Sequence, residues 1–116
     1  MNAVSRRDID NLVNIAVSLS GTRSRDDLMH HRYADCVDLR SMIFLVLVSW
    51  GMSLPGIARF FGLKHPSVWY ALRTIKCRLT LEMKTAEKYR KFLSSIPDEM
   101  IVRHTWPYMD DLFGSG

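Results

Sequence analysis

A chain of 116 residues, 47% of them hydrophobic, suits a single domain with a true core. Its two cysteines, Cys36 and Cys77, lie far apart without metal-ligand spacing, which argues for reduced thiols in a cytoplasmic protein rather than a disulfide framework. The formal net charge is only +4, but residues 1–58 balance to zero, residues 59–96 carry nine basic against two acidic side chains, and residues 97–116 are net acidic. A basic segment of that kind is the footprint expected of a phosphate-binding face, although Lys84 and the stretch from Glu87 to Lys91 taken alone read as a solvated helix surface.

The first residues are polar and lack the apolar region of a signal peptide. Ser5-Arg-Arg-Asp8 resembles a capping box, with aspartate replacing the usual glutamate. Ile9, Leu12, Val13, Ala16 and Leu19 then form a helical stripe that ends at Gly21, which predicts a helix over 6–20. Thr22 to Arg25 form a connector, and Ser24 is placed to cap a short turn containing Leu28 and Met29. His30 and His31 invite a metal reading, but adjacent helical residues do not share a face and no ligand set stands at a recognised spacing, so no metal is expected.

A long helix is predicted from Asp35 to Trp50. Its centre, Met42-Ile-Phe-Leu-Val-Leu-Val48, is apolar all round, so it must be covered on several sides. The run is far shorter than the ~20 residues a bilayer requires, which makes it a core helix rather than a membrane span. Gly51 ends it.

Two helices joined by a tight turn follow. Ser53 is a good N-cap, and Pro55 falls where a missing N–H does no harm. Leu54, Ile57, Ala58 and Phe61 share one face, and Gly62 supplies the left-handed residue that ends the first helix. Pro66 pre-sets the backbone for a second start. Val68, Ala71, Leu72, Ile75 and Leu79 make that helix's buried stripe, leaving Lys64, His65, Ser67, Tyr70, Arg73 and Thr74 outward. This is the division of a helix-turn-helix, whose second helix reads the major groove while the first crosses the phosphates. Pattern alone equally fits any two short amphipathic helices of a bundle. A bend is expected over Thr80–Met83, then a last helix from about Thr85 to Ser95 with Ala86, Tyr89, Phe92 and Leu93 on its apolar side. The tail, 97–116, includes Met100, Ile101, Val102, Trp106, Tyr108, Met109, Leu112 and Phe113. It either packs on the domain or binds a protein partner.

Ser-Leu-Pro-x-Ile-x-x-x-Phe-Gly at 53–62, then His65-x-Ser-Val-x-x-Ala71 and Arg73-x-Ile75, resembles the C-terminal DNA-binding domain of the bacterial replication initiator DnaA. Ile9-Asp-Asn-Leu12, Asp27-Leu28 and the stretch from Tyr89 to Leu93 extend the likeness over roughly residues 5–95. The resemblance implies an all-α domain of five to six helices over 1–96 that binds double-stranded DNA. Ser53, Leu54 and Pro55 would meet phosphates at the backbone, with Arg59, Lys64 and Arg73 supplying charge; His65, Ser67, Tyr70 and Thr74 would meet bases. Arg40, near the head of the long helix, aligns loosely with a basic residue that flanks DNA in that family. The turn here is one residue shorter than the family's, its base-reading acid has no counterpart, Pro66 stands where a threonine would donate, and Gly56 stands for a capping glutamate.

No glycine-rich phosphate loop with Lys-Ser/Thr occurs, so neither nucleotide binding nor ATP hydrolysis is expected, and no cofactor or catalytic set is read from the chain. The leading expectation is a free-standing, sequence-specific duplex-DNA-binding protein serving replication or transcription regulation. The alternative is a helical protein-interaction module that has lost DNA binding.

Overall fold

The computed structural model describes residues 4–22, 24–30 and 32–101. Its described residues form an all-α domain of six helices: α1 (Arg6–Ser20), α2 (Arg25–His30), α3 (Ala34–Ser49), α4 (Leu54–Phe61), α5 (His65–Leu81) and α6 (Met83–Ser94). A single helical turn follows over 98–101. Local signals set most of the boundaries. The Ser5 hydroxyl accepts from the Asp8 amide at 3.2 Å to start α1, and the Ser24 hydroxyl accepts from the Asp27 amide at 3.2 Å to start α2. Gly21 closes α1 at a φ of +74°, where a side chain would be strained.

The rod α3 touches each of the other five helices, which explains how a helix without a polar face is tolerated. Leu39, Met42, Ile43, Phe44, Val46 and Leu47 are all buried along it, and Trp50 at its end is 2% exposed. Covering that run removes apolar area from water on every side, at about 25 cal/mol per Å².

The packing also positions α4 and α5. Phe61 of α4 lies 5.6 Å from Phe44 of α3, ring centre to ring centre, and 5.0 Å from Phe60. Arg25 fastens the outer side of α4: its guanidinium sits 5.4 Å from the Phe60 ring and 5.7 Å from the Phe61 ring, while Nη1 donates to Asp10 at 2.5 Å.

Two boundaries differ from the sequence expectation. The bend expected over Thr80–Met83 contracts to the single extended residue Glu82, so α6 begins at Met83 rather than near Thr85. A side-chain bridge spans the break, in which the Glu82 carboxylate accepts from Arg78 at 3.1 Å and from the Thr85 hydroxyl at 2.8 Å. Of the tail, Met100 is buried beside Ile96 on the core; Val102, Trp106, Tyr108, Met109, Leu112 and Phe113 lie outside the described residues, as does His31.

Candidate nucleic-acid interface

The turn between α4 and α5 is built by hydrogen bonds that the sequence specifies. Ser53 Oγ accepts from the Gly56 amide at 3.1 Å, capping α4. At the other end the Leu63 amide reaches the Ala58 carbonyl at 2.8 Å and the Gly62 amide reaches Arg59 at 3.4 Å, with Gly62 at a φ of +67°. This paired closure turns the chain sharply and delivers Lys64 as the N-cap of α5. Val68, Leu72 and Ile75 of α5 are buried, so the opposite face is held outward along the helix.

On that face, Ser53, Pro55, Arg59, Lys64, His65, Pro66, Ser67, Tyr70, Arg73 and Thr74 are all exposed. Leu54 is half-buried against the core. Arg59, Lys64, Arg73 and Lys76 make no ion pair among the described residues. From residue 39 to residue 81 the chain contains no carboxylate at all, so neither α4 nor α5 supplies one to neutralise them. The first turn of α5 likewise has no acidic residue, and its N-cap has no side-chain hydrogen bond, which leaves the positive end of the helix dipole open.

Other members of the basic segment are spent internally. Arg78 is paired with the buried Asp38, to which its Nη2 also donates at 3.3 Å, and with Glu82 at 3.1 Å. Lys88 bridges Asp35 at 2.6 Å and Asp38 at 3.0 Å. Hydrogen bonds donated to Glu82 and then to Asp38 raise the Arg78 pKa. Burial pulls Lys88 down, but its hydrogen bonds to Asp35 and Asp38 outweigh that and the net direction is upward.

Comparison with protein-family models, curated proteins and solved structures returns no match.

Arg40 stands apart from the exposed face. Its Nη1 donates to the Leu28 and Met29 carbonyls at 3.3 and 3.0 Å, completing the C-terminal end of α2, and burial lowers its pKa. It nevertheless shares with Ser67, Tyr70 and Thr74 the lining of a cavity of about 330 Å³ between α3 and α5. Tertiary packing thus brings the loosely aligned Arg40 beside three of the expected contact residues, with its guanidinium turned onto backbone carbonyls.

Two residues on this face were missed by the sequence reading. Trp69 is 43% exposed, and the Arg73 guanidinium lies 5.3 Å from its ring centre; Tyr70 meets the same indole edge-on at 5.9 Å. Lys76 continues the line. The signal was present as the spacing i, i+4, i+7 of Trp69, Arg73 and Lys76, which places the three on one stripe. Among the described residues no cluster of three His, Cys, Asp or Glu side chains could hold a metal, and no helix is long and apolar enough to cross a membrane.

Proposed function

We propose that this chain binds double-stranded DNA, with the leading end of α5 entering the major groove and α4 crossing the phosphate backbone. The observation that carries the reading is the exposed start of α5 amid Arg59, Lys64, Arg73 and Lys76, four cations with no ion-pair partner among the described residues, in a span free of carboxylates. Cations held by internal carboxylates have little to offer phosphates; these four displace counterions when a duplex arrives. The residues assigned to bases are His65, Ser67, Tyr70 and Thr74. The likeness to the initiator's DNA-binding domain adds a cytoplasmic role in replication or its regulation.

The test is retention of mixed genomic duplex fragments by the intact chain at 50 and 200 mM salt. Four neutralised phosphates predict a fall in affinity of roughly a hundredfold between the two. Equal retention at both, or none at either, contradicts the proposal.

A second reading has its own observation. An exposed Trp–Tyr–Arg cluster is also the composition of a protein–protein hot spot. A stoichiometric complex with a protein, together with no retention of duplex, would favour the interaction module.

A further inference from the structure

The indole of Trp69 contrasts with that of Trp50. Trp50 is 2% exposed, while Trp69 is 43% exposed on a helix whose core stripe is already filled by Val68, Leu72 and Ile75. Arg73 is held over it, one helical turn on. No hydrogen bond or ion pair to a described residue engages the Arg73 guanidinium, so its charge is unneutralised and its forked N–H edge is unspent. A guanidinium drawn to an aromatic ring by cation–π attraction is restricted in where it points, and its forked N–H edge can then meet two acceptors at once. A phosphate contact needs no such orientation, and Lys64 and Lys76 already supply point charge on either side. The major-groove group that presents two adjacent acceptors to such a fork is guanine, through O6 and N7; the apolar group that an indole rim beside it would meet is the C5 methyl of thymine.

We propose that Trp69 and Arg73 form one cation–π reading unit, which takes a guanine with a neighbouring thymine in the major groove of the bound duplex. This rests on the duplex-binding reading above and adds what that duplex must contain. Arg73 thereby moves from the phosphate set to the base-reading set, and Trp69 becomes a specificity residue that also positions it.

The probe is a duplex enriched from a random pool by the intact chain. Replacing its guanines one at a time by 7-deazaguanine removes only the N7 acceptor, and the guanine read by Arg73 should show at least a fivefold loss of affinity. Replacing the adjacent thymine by deoxyuridine removes only the methyl group and should cost about fourfold. Arg73→Lys keeps the charge and should keep the salt slope, yet lose the response to 7-deazaguanine; Trp69→Ala should lose the response to deoxyuridine. If Trp69→Ala does not fold, Arg73→Lys decides alone, because Arg73 is exposed and its charge is kept. An enriched duplex that binds with strong salt dependence but is indifferent to both base changes, or an Arg73→Lys chain that still senses 7-deazaguanine, overturns the inference and leaves the duplex reading intact. Failure to enrich any duplex overturns both.

Discussion

The two ends of α5 treat charge in opposite ways. At its C-terminal end Arg78 is tied to Asp38 and Glu82, and beside it Lys88 is tied to Asp35 and Asp38, so that one buried carboxylate joins α3, α5 and α6. From its N-cap through its middle turns, Lys64, Arg73 and Lys76 are exposed without an ion-pair partner among the described residues. The same residue types thus hold the fold together at one end and face solvent at the other. What separates them is whether an acidic residue comes within reach, and none stands in the chain between Asp38 and Glu82. Net charge summed over a segment overstates what a polyanion would meet, because paired cations displace no counterions on its behalf.

Removing Asp38 should break the contrast most severely. Asp38→Ala leaves Arg78 and Lys88 without the 2%-exposed carboxylate they share. Breaking a fully buried pair costs about 3–5 kcal/mol; with both cations about a third exposed, a loss of about 2–3 kcal/mol is expected in urea denaturation. Once folded, this variant should bind duplex as the wild type does, since the exposed end is untouched.

A smaller effect belongs to the other end. Ser53→Ala removes the hydroxyl that accepts from the Gly56 amide. A stability loss of about 1 kcal/mol should follow, with faster amide exchange confined to the first turn of α4.

The smallest change concerns acid. The Arg78 guanidinium and then the Thr85 hydroxyl hold the Glu82 carboxyl below its ordinary range. A carboxyl depressed in the folded state contributes stability above its unfolded pKa, and that contribution disappears as pH falls through the folded value. Glu82→Gln should therefore flatten the acid limb of the stability–pH curve and leave neutral duplex binding alone. An unchanged acid limb would show that Glu82 bridges the α5–α6 break without linkage to pH.

The exposed end was largely legible in the sequence, and the paired end was not. Ser5, Gly21, Ser53, Gly62 and Pro66 act on neighbours within a few residues, so their caps and turns can be read locally. The apolar run at 42–48 announced a rod covered on all sides, and α3 is that rod. Asp38 meets partners 40 and 50 residues away, a pairing that no local pattern records. Arg40 was placed near DNA by its loose alignment with the resembled family; its hydrogen bonds to the Leu28 and Met29 carbonyls have no side-chain signature and could not be read from the sequence. Trp69, by contrast, was legible, since it lies off the buried stripe of Val68, Ala71, Leu72, Ile75 and Leu79 and one turn before Arg73; what only the packing shows is its 43% exposure.

The most direct measurement is the slope of log affinity against log salt for a duplex, in the wild type and in the Arg59→Ala, Lys64→Ala and Lys76→Ala variants singly and together. These exposed positions should change stability by no more than about 0.5 kcal/mol. Each should reduce the magnitude of the slope by about 0.9, and the triple variant by close to three times that. A slope that stays at its wild-type value in the triple variant would contradict the claim that this face meets the phosphates.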